Sequence, residues 1–337
     1  MAEIHVAIIG LERLGVSLGL ALKRYMRSKD SRHTFTVTGH DERDANAKTA
    51  RERGAVDATA RTPLAAVKEA PIVLLTGPYH QAEELYQTIG PSLRPGAVVL
   101  DFSPLKTPSI RWAADHLPQD REVAAYMVGL TAVLNPAALF DPDPGADGAR
   151  ADLFDDGTMI LAEAVELAAE FSRLVGADVH FMDPDEHDGL IAATEGLPAL
   201  LGVGLFRALS TAEAWGDLRR LTNPAFGLAT HHLRDQHPDS LWALLHYNRH
   251  NTARYLAALI QALDALRESL ETDAEGLGVE AALTEGAARY QEWEGQRLAN
   301  RWEKAEGPAL PTGGMLSAMS GMLFGQRPPK DEDERKK

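Results

Sequence analysis

In residues 4–183 short apolar runs rich in β-branched side chains alternate with segments whose apolar positions recur at helical spacing. The runs 4–9, 35–39, 72–75, 98–102, 124–128, 159–161 and 179–182 predict strands, and 14–25, 43–53 and 81–88 predict amphipathic helices. Alternation of this kind implies βαβ units, because a parallel neighbour is reached only through a crossover, and so a doubly wound, mostly parallel sheet. After Asp183 and Pro184 the strand signals stop, and Ala- and Leu-rich stretches over 186–214, 240–270 and 280–302 predict long packed helices. The fold class is therefore α/β followed by an all-α second domain. The pattern divides the chain into an α/β domain over 1–183, a helical domain over 184–305 and a disordered tail over 306–337. A turn-rich stretch from Asp141 to Arg150 predicts a mobile loop late in the first domain.

Composition narrows the function. A chain of 337 residues has room for two cores, and 45% hydrophobic with 25% charged residues is ordinary for a globular protein. No uninterrupted apolar run approaches the ~20 residues that cross a bilayer, and the first residues lack a secretory signal, so the expectation is a cytoplasmic protein without a membrane partner. The absence of cysteine excludes disulfides, thiolate metal sites and a cysteine nucleophile. A formal charge of -15 argues against nucleic acid, whose binding depends on cations that neutralise phosphates.

The first predicted strand runs into Gly10-Leu11-Glu12-Arg13-Leu14-Gly15 and then into a helix, the setting of a dinucleotide-binding turn and of a Rossmann-type sheet. Gly10, Leu11, Arg13, Leu14 and Gly15 are the candidate phosphate-side residues. Glu12 stands where the second glycine would let backbone approach the pyrophosphate, which puts a negative charge near a helix N-terminus that favours anions. Asp41, after the second strand, is placed to accept hydrogen bonds from the adenosine ribose, favouring NAD over NADP. Arg43 beside it blunts that preference. Thr76 and Pro78 follow the third strand at the carboxyl edge, where ligands bind in open α/β sheets. A turn that keeps its shape and has lost its ligand is the competing reading.

The series from Ile8 to Leu18, then Gly39-His40-Asp41, then Pro95 to Asp101 with Lys106, resembles the prephenate and arogenate dehydrogenase family. Ala151-Asp152-Leu153-Phe154, Met182 to Asp188, Leu197-Pro198, Trp242 and Asn248 look like later landmarks of that family in the same order. The resemblance implies a first domain that holds NAD or NADP, a helical domain that forms a homodimer, and a prephenate- or arogenate-type small molecule between them. It also implies NAD(P)-dependent oxidative decarboxylation in tyrosine biosynthesis, with a histidine near the substrate hydroxyl.

Five positions depart from the family's pattern. Glu12 replaces a glycine, and the family's Gly-His-Pro stretch after the fifth strand matches Gly129-Leu130-Thr131, with Leu130 in the histidine's place. Gly196 stands for a second histidine, His231 for a carboxylate-binding arginine with Arg234 a turn further on, and Pro104 for a serine beside Ser103. His187, Thr131 and His231 are the candidates to stand in for the missing histidine. Asp188 beside His187 is of a type that orients a tautomer, although neighbours on a helix diverge. His246 and His250 have i, i+4 spacing, but no glutamate follows His246 as a zincin pattern needs, so no metal is expected. Two functions compete: a dehydrogenase of this type, or a catalytically silent metabolite-binding or interaction protein on the same scaffold.

Overall fold

A computed structural model describes residues 2–299 except 30, 121–122, 140, 142–144 and 164. The predicted tail, and part of the 141–150 stretch, lie outside the described residues. Among the described residues eight strands form one sheet: β1 (Ala2–Ile9), β2 (His33–His40), β3 (Ala58–Thr59), β4 (Ile72–Leu75), β5 (Val98–Asp101), β6 (Tyr126–Val133), β7 (Thr158–Leu161) and β8 (Asp178–Phe181). Their order is β3-β2-β1-β4-β5-β6-β7-β8, parallel throughout except where β7 runs antiparallel to β6. The order reverses beside β1, which is the switch point where such sheets open a ligand crevice at their carboxyl edge.

The strands read as continuous apolar runs because both faces are buried. In β1, Ile4, Val6 and Ile8 enter one core and Ala7 and Ile9 the other, and Ile72 and Leu74 part from Val73 and Leu75 in β4 the same way. Helices α1 (Arg13–Met26), α2 (Asp44–Glu52), α3 (Pro63–Val67), α4 (Ala82–Ile89), α5 (Lys106–His116) and α6 (Glu166–Val175) provide the cover. The first core packs α1 and α6, through Val16, Leu18, Leu22, Leu167 and Phe171. The second takes in Tyr86 of α4 and Trp112 of α5, then continues into the helical region through Ile191, Ala199, Leu241 and Leu244.

That region comprises α7 (Pro184–Ile191), α8 (Leu197–Ser210), α9 (Trp215–Leu218), α10 (Pro224–Ala229), α11 (His232–Asp235), α12 (Pro238–Tyr247), α13 (Arg249–Thr272) and α14 (Leu277–Leu298). A π-helical turn at Ala192–Gly196 joins α7 to α8, so helix continues over Pro184–Ser210. Asp183 caps its start by accepting the amides of Asp185 and Glu186.

Several sequence expectations change. The helix expected over 240–270 breaks at Asn248, whose backbone leaves helical geometry while its amide group donates to the Asp188 carbonyl at 2.6 Å. The Pro184–Ser210 helix is long and apolar enough to cross a membrane by length and composition, and little more than a quarter of its apolar window is buried. A search for an uninterrupted run passes over it because Asp185, Glu186, Asp188 and Glu195 punctuate it. The described part of the 141–150 loop is tied down. Arg53 donates to the carbonyls of Ala146, Asp147 and Ala149 at 2.9, 2.5 and 2.5 Å, and the Arg150 amide donates to Ser17 Oγ at 3.0 Å.

Candidate active site

At the carboxyl edge of β1 the turn is tight for steric reasons. Gly10 has φ +102°, and a Cβ there would lie 2.4 Å from the Gly77 nitrogen; one on Gly15 would lie 2.0 Å from the Gly10 carbonyl. Thr76 Oγ1 donates to the Gly10 carbonyl at 2.7 Å, and the Leu11 amide donates to Asp41 Oδ2 at 2.6 Å, which locks the turn to β2 and β4. Glu12 pairs with the Arg43 guanidinium, and Arg13, nearly buried, donates to Asp141 at 3.2 Å. Gly10, Glu12, Asp41, Arg43 and Pro78 border one side of a cleft of about 790 Å³, and Arg234 and His237 the other. A glycine cradle that no Cβ could enter, opening on the N-terminus of a 14-residue helix, fits a dinucleotide pyrophosphate.

Tyr79, Phe102, Pro104, Gln236 and Ser240 are common to this cleft and to an inner pocket of about 340 Å³, which adds Arg13, Thr131, Glu195 and an apolar wall of Leu134, Leu153 and Leu244. Strand alternation decides which residue of β6 reaches it. Leu130 is fully buried in the first core, whereas Gly129 packs on the Lys106 side chain across the sheet's other face and Thr131 lines the pocket. Leu130, the residue matched to the family's histidine, is thus turned into the core and Thr131 toward the pocket. These residues lie inside β6, which runs on to pair with β7, and position 131 is the one that faces the pocket.

Behind Thr131 lies a chain of hydrogen bonds. Thr131 Oγ1 and His187 Nε2 are 2.9 Å apart, and His187 Nδ1 is 2.9 Å from Asp188 Oδ1. Both His187 and Asp188 are buried. Asp188 also accepts the amides of Lys106 at 2.7 Å and Thr107 at 2.9 Å, the first free N–H groups of α5. Burial pushes its carboxyl pKa up, but the bonds from His187 and the two amides outweigh that, and the net shift is downward. An ionised Asp188 only accepts, so His187 Nδ1 carries the proton, Nε2 is left as the acceptor, and the Thr131 hydroxyl donates to it. Helix neighbours do meet here, because the α5 amides pin Asp188 against the base of the imidazole.

Lys106 is fully buried, its ammonium donating to the carbonyls of Ser103 and, at 2.6 Å, Leu130. Burial lowers its pKa to about 8, with Asp101, Asp188 and Glu195 acting against that. Withdrawal from water pushes the Glu195 carboxyl up, with Lys106 opposing. Asp101 accepts the Tyr86 hydroxyl at 2.9 Å and the Ser103 amide at 2.7 Å. Burial, then the Asp188 and Asp101 carboxylates, raise the Tyr79 phenol, and its hydroxyl is buried without a hydrogen-bond partner among the described residues. Such a group is ordinarily satisfied by a ligand or water.

Residues 18–179 match the family model described as prephenate dehydrogenase, nucleotide-binding domain. Over that span the chain is similar to the prephenate dehydrogenase family. It is 26% identical over 216 residues, 62% of this chain and 68% of the relative, to a cyclohexadienyl dehydrogenase of Zymomonas mobilis. The fold matches a prephenate dehydrogenase of Aquifex aeolicus, solved with hydroxyphenyl propionate and NAD+, at a TM-score of 0.69 and 20% identity over 86% of this chain and 98% of that one. It also matches a Synechocystis arogenate dehydrogenase at 0.60 and 20% identity over 86% of this chain and 100% of the other.

The structure gathers Gly10, Asp41, Arg43 and Pro78 on the cleft, puts Arg13 and Leu14 on the inner pocket, and uses Leu11, Gly15 and Thr76 to shape the turn. Thr131 and His187 join in the hydrogen-bond chain. His231 does not: it borders neither cavity, its Nδ1 bonds the Leu228 carbonyl at 2.6 Å, and its ring lies on His232. Arg234 lines the cleft instead, paired with Asp235. Position 196 faces α13, where a Cβ on Gly196 would meet Thr252 Oγ1 at 3.3 Å, while its neighbour Glu195 borders the pocket. Glu195 and Tyr79 escaped the sequence reading as site residues. The only signal for Glu195 was an acidic residue within an otherwise apolar helix.

Neither His246 nor His250 borders the cleft or the inner pocket, and His246 stacks on Trp242 at 4.6 Å. His80, His237 and Asp239 do bring ligand-type atoms within 4.8 Å of one another at the cleft. Their own bonds account for the grouping: His80 Nδ1 to Ser240 Oγ at 2.8 Å, and the Asp239 amide to His237 Nδ1 at 3.2 Å.

Proposed function

We propose that the protein is an NAD(P)-dependent dehydrogenase that oxidatively decarboxylates a cyclohexadienol of the prephenate or arogenate type, in the cytoplasm and as a homodimer. The observation that carries this reading is the Thr131–His187–Asp188 chain, which ends in a pocket continuous with the dinucleotide cleft. The nicotinamide, when bound, supplies the hydride acceptor.

The chain's own residues handle the proton. A substrate hydroxyl set against Thr131 Oγ gives its proton to that oxygen as Thr131 passes its own to His187 Nε2. The imidazolium that forms lies against ionised Asp188, whose charge is held by the α5 amides. The ring carbon that bears the oxygen loses hydride, and the ring carboxylate departs as carbon dioxide, its bonding pair completing the aromatic ring. Leu134, Leu153, Leu244 and Phe102 keep bulk water from the reacting face.

Asp41 at the ribose position favours NAD. We take residues 184–305 as the substrate and dimerisation domain, since Ile260, Leu263 and Leu270 on α13 and Leu283 on α14 expose apolar surface that a second copy would cover. Calorimetric titration with NAD+ and then NADP+, followed by absorbance assays with prephenate and arogenate, tests the reading. Saturable dinucleotide binding with formation of the reduced nicotinamide supports it. Binding without turnover would favour the silent, metabolite-binding alternative, and no binding would defeat the dehydrogenase.

A further inference from the structure

The wall of the cleft near Asp41 is unusually acidic for a phosphate-binding surface. Glu12, Asp41 and Glu42 all border it, with Arg43 among them. Asp41 is held rigidly: Oδ2 takes the Leu11 amide, and Oδ1 takes the Arg43 amide at 2.9 Å and Asn46 Nδ2 at 3.1 Å. Its carboxylate is thus fixed beside the place where a Rossmann domain seats the adenosine ribose. The way such domains accept a ribose 2′-phosphate is to offer an arginine there. Arg43, two residues on and with an exposed side chain, is in position to be that arginine, yet its guanidinium is engaged by Glu12.

Among the described residues Arg43 is the partner found for the Glu12 side chain. Glu12 precedes α1 in an extended conformation, φ -81° and ψ -166°, and its side chain makes no capping bond. Any residue can adopt that backbone.

We propose that Glu12 sets the cofactor preference through Arg43: by holding the guanidinium, it denies the adenosine end of the cleft a cation for a 2′-phosphate and biases the site toward NAD. The same pairing neutralises Glu12 itself, so the glutamate in place of the second glycine is compatible with a pyrophosphate at the α1 N-terminus. Glu12 is a positioning residue in this account, and it rests on the dinucleotide-binding reading given above.

The test is a double-mutant cycle read by calorimetric Kd for NAD+ and for NADP+ on the full-length protein. The variants are Glu12→Gly, Glu12→Gln, Arg43→Ala and Glu12→Gly with Arg43→Ala. Glu12→Gln retains side-chain bulk and removes only the charge, which covers the case of a poorly folded glycine variant. The wild type is expected to prefer NAD+, and either Glu12 variant to shift the ratio of the two affinities toward NADP+ by about tenfold. In the double variant the ratio should return toward the wild-type value. An unchanged ratio in both Glu12 variants, or the same shift with Arg43 absent, overturns the proposal while leaving dinucleotide binding intact. A wild type that binds neither nucleotide overturns the dehydrogenase reading and this inference together.

Discussion

Thr131 on β6 and His187 on α7 meet at 2.9 Å, so their hydrogen bond exists only while the helical region is docked on the sheet. Removing the hydroxyl with Thr131→Val is expected to lower kcat by ~10²- to 10⁴-fold, the usual contribution of a positioned base, and to leave the Kd for dinucleotide unchanged. Thr131→Ser should recover most of the activity. Steady-state kinetics alongside calorimetry distinguishes this from a packing role, in which both substitutions would act alike.

Asp188 joins the two parts of the chain by accepting the Lys106 and Thr107 amides while orienting His187. Asp188→Ala leaves those donors unpaired and is expected to cost about 2–4 kcal/mol of stability by urea unfolding at neutral pH. Because its folded pKa lies below the ordinary 3.8, the stability it contributes is present above that value and is lost as pH falls through the folded pKa. The acid limb of a Tm-against-pH curve should therefore flatten below about pH 4 in the variant. Parallel acid limbs would exclude the linkage.

How far the sequence led depends on the kind of signal. The strands of the parallel sheet were legible because two buried faces leave continuous apolar runs, as in Val98–Asp101. The turn at Gly10 and Gly15 was legible because steric exclusion demands glycine at particular positions. The inner pocket was only half legible. Thr131 and His187 are 56 residues apart and meet only in the folded chain. Whether residue 130 or 131 faces the pocket depends on strand register, which a one-residue shift inverts. The same holds on the helix, where the π turn turns Glu195 toward the pocket and Gly196 toward Thr252. The break at Asn248 went unread because its cause, a bond to the Asp188 carbonyl, is a tertiary contact.

The exposed faces of α13 and α14 carry Leu263 at 49%, Leu270 at 70% and Leu283 at 69% exposure, apolar surface that a second copy would cover. Light scattering after size exclusion is expected to give twice the chain mass at micromolar concentration. Leu263→Glu together with Leu270→Glu should shift the protein to monomer, since each charge would be buried in the interface without a partner. A wild-type monomer at that concentration would defeat the dimer.

Lys106 provides the last prediction, on the alkaline side. Its pKa is about 8 in the folded chain, burial being the main cause, against an ordinary value of 10.5. Between those limits the unfolded chain holds a proton that the folded chain has released, so stability rises with pH across the window and the penalty of burying the ammonium is complete below it. Lys106→Met cannot titrate, although it leaves the carbonyls of Ser103 and Leu130 without their donor. The variant's absolute stability is therefore the wrong quantity to read, and the slope is the right one. Denaturation midpoints taken from pH 7.5 to 9.5 should climb in the wild type relative to Lys106→Met by an amount growing toward about 1–2 kcal/mol. Equal slopes in the two proteins would mean that the ammonium stays charged in its buried site, held by Asp101, Asp188 and Glu195 more firmly than burial opposes.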